Sequence, residues 1–279
     1  CDPVNGFRAK RSCELRSIKT IPITIYNANV TYIDDENMDI TGMLDTFAEY
    51  KGRTYTACPG CDAWLNAFDG SDEIYVITIT SGLSGTYNSA EAAKEMYLAE
   101  HPEAKIQVFD SLSTGPGIVL LVEKIQELKE KGCSFEEVVR YMEDYRKRFR
   151  LFFALKSLHN LAQNGRVNKI LASAVGALGI SIIATASKTG TIDSCGKSRG
   201  DKKSIRELIS EMEKSGYKGG KVRICHVENK SLADQFLQAF KAAYPKADIT
   251  SSPASGLVSY YAERGAILAA CEIDGQYLD

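Results

Sequence analysis

Compact apolar runs and longer amphipathic stretches take turns along the first half of the chain. Ile21–Tyr26, Ile74–Ile79 and Lys105–Phe109 are short and apolar, and they predict strands. Asp39–Tyr50, Asp62–Phe68, Thr86–Glu100, Pro116–Lys131 and Ser134–Arg148 space their apolar residues as helices do. Pro116 suits a first helical turn, where a missing N–H costs nothing. Ser134, with Glu137 three residues on, has the pattern of a reciprocal helix cap. Strands alternating with helices predict a doubly wound, mainly parallel sheet covered on both faces.

Beyond residue 148 the rhythm changes. Leu151–Leu155 predicts a strand, and Ser157–Gln163 a short helix stopped by Asn164-Gly165. Ile180–Thr185 and Thr191–Lys197 read as strands paired around the turn Ser187–Gly190. A helix over Asp201–Lys214, a strand over Lys221–His226 and a helix over Ser231–Tyr244 follow, with Ala247–Ser251 and Gly265–Glu272 as further strands. The expectation is an α/β protein of two domains. Residues 1–148 form a parallel-sheet domain, and 149–279 a smaller mixed-sheet domain.

Bulk properties narrow the function. A net charge of −2 with no basic block gives nucleic acid no electrostatic footprint. The longest apolar stretch, Leu171–Ala186, is interrupted by Ser173, Ser181 and Thr185 and falls short of a membrane span. No signal peptide pattern is present, and the chain opens on Cys1, so the native start is expected to be missing. Eight cysteines in 279 residues, several inside apolar runs, predict free thiols in a reducing cytoplasm.

Candidate chemistry gathers at the turn after Ile79. Ser81, Gly82, Ser84 and Gly85 sit where a strand gives way to a helix, so hydroxyls and N–H groups converge on a small volume. Such a turn holds an anion or presents a nucleophile. Gly82-Leu-Ser-Gly-Thr86 approximates a nucleophile elbow around Ser84, with Thr86 in place of the last glycine. A serine acyl hydrolase would further need a histidine held by an acid, such as His226 beside Glu228. Cys58-Pro-Gly-Cys61 has the spacing of a redox dithiol, but the polar stretch Lys51–Thr56 before it is not a central strand. A zinc site would need a second ligand pair, and the three histidines are isolated. Arg166 follows the predicted glycine cap, where it could pair with a carboxylate. Lys197, Arg199, Lys202 and Lys203 cluster where a helix opens, against the helix dipole, which suggests an anionic partner.

In this order, the segments resemble the DegV family of bacterial fatty-acid-binding proteins. The resemblance rests on Thr56-Ala-Cys-Pro59, Ile79–Ala90, Val108–Ser111 with Ser113-Thr-Gly115, Asn164–Val167 and Lys197–Lys203. It implies two α/β domains with a long-chain fatty acid in a tunnel between them, and no other cofactor. It implies that Thr56, Ser81, Gly82 and Ser84 hold the carboxylate with Arg166 nearby. It further implies a carrier without chemistry of its own, which hands its lipid to a fatty acid kinase that feeds phospholipid synthesis. The 197–203 turn would be the kinase-docking surface. The chain departs from the family at its opening strand, at Ala57, and at Thr250-Ser-Ser-Pro-Ala254, which stands where relatives carry a histidine.

The physics of such a ligand is asymmetric. Burying about fourteen methylenes is worth on the order of 11 kcal/mol before ordering costs. The tail thus sets affinity and the head group sets orientation. Thr56→Ala and Ser81→Ala are each expected to cost about 1–2 kcal/mol of binding. Leu151–Phe153, Leu171–Ile183 and Leu257–Tyr261 are the candidate slot linings.

Overall fold

The computed structural model describes residues 18–168 and 179–273. The expected lining from 171 to 178 lies outside the described residues, as do the first and last few. Three sheets organise the described residues. β1 (Thr24–Tyr26) pairs antiparallel with β2 (Thr31–Ile33) on one side and β3 (Tyr55–Ala57) on the other. β4 (Glu73–Thr78) and β5 (Lys105–Asp110) pair in parallel. The third sheet has the order β10-β9-β11-β6-β7-β8. Its strands are β6 (Phe149–Leu155), β7 (Ile180–Ala186), β8 (Ile192–Arg199), β9 (Lys221–His226), β10 (Asp248–Pro253) and β11 (Ile267–Glu272). Only β9 and β10 run parallel within it.

The α/β class with a parallel and a mixed sheet is as expected, but the first half divides its strands differently. β1 joins a small antiparallel sheet instead of the parallel one. Its partner β3 was passed over for its polarity, which an edge strand tolerates because one face and one edge meet solvent.

The helices behave as their sequences predict. Asp39 caps α1 (Ile40–Glu49) by accepting the Gly42 N–H. α2 (Cys61–Phe68) and α3 (Thr86–Glu100) cover one face of β4–β5. α4 (Pro116–Glu130) starts on its proline, and α5 (Phe135–Tyr145) carries the Ser134/Glu137 box. α6 (His159–Gln163) ends at Gly165, whose φ of 74° lets Arg166 N–H reach back to the Leu161 carbonyl. α7 (Asp201–Lys214) and α8 (Lys230–Ala243) lie on the outer face of the large sheet. One helix was not anticipated: α9 (Gly256–Ala262), on the segment expected only to line a slot.

β6 shows how the layers are built. Its side chains alternate between two cores. Phe152 and Ala154 pack outward with Leu208, Met212 and Phe236, while Leu151, Phe153 and Leu155 face the interior shared with α4, α9 and β1. A strand buried on both faces is continuously apolar, as this one is from Leu151 to Leu155. The interior between the sheets is therefore assembled from both halves of the chain.

Candidate functional site

A cavity of about 80 Å³ opens in that shared interior. A single water needs only about 10–15 Å³ measured this way, so the site has room for a larger guest. Most of its wall is aliphatic or aromatic: Ile23 and Ile79 from the first half, Phe153, Leu155 and Leu268 from the large sheet, and Leu257, Val258 and Ala262 from α9. Polar groups are few. Thr56, Cys58, Thr80, Ser84, Thr114, Arg166 and Tyr261 supply them.

Backbone logic places each one. On β3, Thr56 points inward while Tyr55 and Ala57 point out, as strand alternation requires. Its Oγ1 lies 2.9 Å from the Tyr261 hydroxyl. Ser84 stands at the mouth of α3, where its Oγ accepts the Thr86 N–H and pairs with the Thr86 hydroxyl at 2.8 Å. Arg166 is aimed by the Gly165 cap. Its Nε donates to the Leu83 carbonyl at 3.1 Å, Nη1 donates to the Asn164 carbonyl, and its guanidinium lies 5.9 Å from the Tyr261 ring centre. Among the described residues, no carboxylate forms an ion pair with Arg166. Among the described residues, two of its five N–H donors are used on backbone oxygens and no acid answers its charge.

α9 forms one wall and is itself held at its start and in its middle. Asp34, fully buried, accepts the N–H groups of Gly256 (2.7 Å) and Leu257 (2.8 Å) at the helix start. Any side chain at Gly256 would collide with Asp34 and Met38. In the middle, the Tyr260 hydroxyl meets Thr54 Oγ1 at 2.6 Å and accepts from Asn164 Nδ2 at 2.9 Å. That network ties α9 to α6 and so to Arg166.

The structure brings Thr56, Ser84 and Arg166 to one cavity. It does not bring Ser81 or Gly82 there. Ser81 is exposed and donates its hydroxyl to Asp110 Oδ2 at 2.5 Å and its N–H to Oδ1 at 3.1 Å. Asp110 also accepts the N–H of Leu112, a residue at φ 50°, so the pair organises the loop after β5. Gly82 meets the turn of the β7–β8 hairpin: a Cβ there would lie 2.6 Å from the Thr189 carbonyl oxygen. Its glycine serves a close backbone approach. Sequence reading missed Thr80 and Thr114 and took Tyr261 for tail lining.

The competing chemistries find little support in this geometry. Among the described residues no histidine lines the cavity, and His226 accepts the Asn229 N–H at its Nδ1. Cys58 and Cys61 are free thiols, Cys58 exposed and Cys61 with its Sγ 3.9 Å from the Ser89 carbonyl oxygen on α3. Among the described residues no cluster of metal-ligating side chains occurs, and no helix is long and apolar enough to cross a membrane. Lys197, Arg199, Lys202 and Lys203 are all exposed, at the end of β8 and the first turn of α7. β8 starts at the cavity with Ile192, so at about 3.3 Å per residue the cluster lies roughly 20 Å from it.

An α/β protein with an apolar slot that also presents hydroxyls and a cation without an acidic partner among the described residues belongs to the class that buries an amphipathic anion. The comparisons with known proteins agree. The profile of the family described as "Uncharacterised protein, DegV family" matches residues 9–272, and the chain belongs to the DegV family. A DegV domain-containing protein of Streptococcus pneumoniae is 40% identical over 275 residues, 95% of this chain and 98% of that one. A DegV family protein from Eubacterium eligens, solved loaded with heptadecanoic acid, is 53% identical, with a TM-score of 0.91 over 94% of this chain and 95% of that one. The Fatty Acid Kinase (Fak) B3 protein of S. pneumoniae, solved loaded with linoleic acid, is 41% identical, with a TM-score of 0.89 over 91% and 90%.

Proposed function

We propose that the protein binds a long-chain fatty acid in this cavity and presents it to a fatty acid kinase. The observation that carries the reading is the pairing of an apolar slot with Arg166, a cation without an acidic partner among the described residues. The two halves, 1–148 and 149–279, act as lobes that each contribute a wall. The tail lies among Phe153, Leu155, Val258 and Leu268, and the carboxylate meets Thr56, Ser84 and Arg166. The relatives solved with heptadecanoic and linoleic acids support the ligand class, and the Fak B3 relative supports the partner. The protein does no chemistry itself; the kinase uses ATP to form the acyl phosphate. The exposed Lys197, Arg199, Lys202 and Lys203 dock that enzyme through its acidic groups. Six free thiols among the described residues fit the cytoplasm, where the donor and kinase would meet.

Native mass spectrometry of protein purified without added lipid tests the ligand: a retained mass equal to a C14–C18 acid is expected. Protein that is empty and also refuses added acids defeats the reading. With a fatty acid kinase and ATP, the charge reversals Lys202→Glu and Lys203→Glu are expected to slow acyl phosphate formation while leaving fatty acid affinity unchanged. Undiminished turnover in the double variant removes the docking role.

A further inference from the structure

The small antiparallel sheet has two unlike faces. Tyr32, Ile25 and Thr56 lie side by side across β2, β1 and β3 and point inward, Ile25 fully buried and Thr56 at the cavity. Their neighbours point outward in two rows: Thr31, Tyr26 and Tyr55, then Ile33, Thr24 and Ala57. That outer face is open to solvent. Ile33 is 51% exposed and Tyr55 47%, and the Tyr55 ring stacks on Tyr26 at 5.0 Å. At the tip of the β1–β2 hairpin, the Asn27 side chain accepts the Asn29 and Val30 N–H groups, a tight turn that presents Val30 to solvent. Scattered apolar side chains on a surface need no explanation, but Val30, Ile33 and Tyr55 gather on one small sheet.

Charge is sorted along the same strands. Lys51 and Arg53, both exposed, precede Tyr55 and so stand at the Val30 end, where Glu49 is the one acid in segments 26–31 and 49–55. Asp35 and Glu36 follow Ile33 at the opposite end. Tyrosine and aliphatic side chains flanked by lysine and arginine suit the boundary between hydrocarbon and anionic headgroups. The cargo favours a bilayer over a protein as the occupant, because a long-chain acid gains more by staying in a bilayer than in water. Thr56, on the back of β3, puts the cavity one layer beneath this face.

We propose that the outer face of the sheet β2-β1-β3, with the Val30 tip and the Lys51–Arg53 end, is a docking surface for bilayers that carry anionic lipid, where the protein meets its cargo. Its purpose rests on the fatty-acid reading; its contact with lipid does not require a bound acid.

The test is flotation of the full chain, without added fatty acid, on vesicles of phosphatidylcholine and on vesicles of equimolar phosphatidylcholine and phosphatidylglycerol. Wild type is expected to prefer the anionic vesicles, and to lose that preference as salt is raised. Lys51→Gln with Arg53→Gln should lower partition to the anionic vesicles about thirtyfold, the loss of two cations near the surface. Val30→Ser with Tyr55→Ser should lower partition to both compositions, about tenfold. Palmitate affinity and thermal stability should be unchanged in both double variants, which separates docking from folding. Wild type that stays off anionic vesicles overturns the proposal, as do double variants that float like wild type. If Lys202→Gln with Lys203→Gln abolishes flotation while Lys51→Gln with Arg53→Gln does not, the surface lies elsewhere and the proposal falls. Full flotation together with slowed kinase turnover in the Val30/Tyr55 variant would give this face to the kinase and also overturn it. Failure of wild type to bind palmitate, with flotation and its variant pattern intact, sinks the fatty-acid reading and leaves the docking surface standing.

Discussion

Two regions of this molecule place charge on opposite principles. Where α4 meets β9, every charge is answered. Arg223 grips Glu123 through Nε (2.7 Å) and Nη2 (2.9 Å), and reaches Asp248 at 2.8 Å. Lys221 bonds Glu123 and Glu127, and Glu272 takes the Tyr145 hydroxyl and the Lys221 N–H. At the cavity, Arg166 faces hydroxyls and carbonyls and no acid among the described residues. The first arrangement is closed and fixes α4 against the large sheet. The second is open, and in the proposed function an incoming anion completes it. Charge density alone would have pointed to the wrong region, since the seam is the richer in ionised groups. What distinguishes a ligand site here is the missing counter-charge.

The largest expected effect tests the closed region. Arg223→Ala leaves Glu123 with Lys221 as its remaining cation and takes the guanidinium from Asp248, and should cost about 3 kcal/mol of folding stability in a denaturant titration. Fatty acid affinity should stay within about twofold, since no ligand-facing group changes. A large loss of affinity at intact stability would mean that the two regions are coupled. The hydrogen bond from Arg223 holds the Asp248 carboxyl below its ordinary 3.8. That contribution is present above the unfolded value and disappears as the pH falls through the lowered one.

Next comes the open region. Arg166→Gln should weaken palmitate binding by about 2 kcal/mol, near thirtyfold, with little change in thermal stability. A stability loss matching the affinity loss would make Arg166 structural. Shortening the ligand by two methylenes should cost about 1.6 kcal/mol, whatever happens to Arg166. A flat dependence on chain length would remove the apolar slot from the account.

The smallest effect concerns His226. Burial, aided by the Lys230 charge, lowers its pKa below the ordinary 6.5. The unfolded chain therefore binds the proton more tightly, and stability should be fully present above pH 6.5 and decline below it. Stability compared at pH 7.5 and 5.5 should show a drop in wild type that His226→Gln abolishes. An equal drop in both would assign it to other groups.

How far the sequence could be read depended on the range of the interaction. The Ser134/Glu137 box, Pro116 at the start of α4 and the Gly165 cap are settled within a few residues, and each stands as expected. So does the hairpin around Ser187–Gly190. Ser81 shows the opposite case. Its hydroxyl and N–H were legible, but Asp110, which captures both, is 29 residues away. Tyr261 reaches Thr56 across 205 residues, and no local pattern marks it as polar machinery instead of tail lining. β3 was hidden by its own composition, because only its inward residue, Thr56, does work that a core strand would advertise.

Strand β6 turns this geometry into a rule for mutation. Phe152 and Phe153 are chemically identical neighbours with different employers: one belongs to the outer core, the other to the lipid chamber. In a saturation library across 151–155, tolerance scored by cargo retention and tolerance scored by protein abundance should therefore fall out of phase. Each should repeat every second codon.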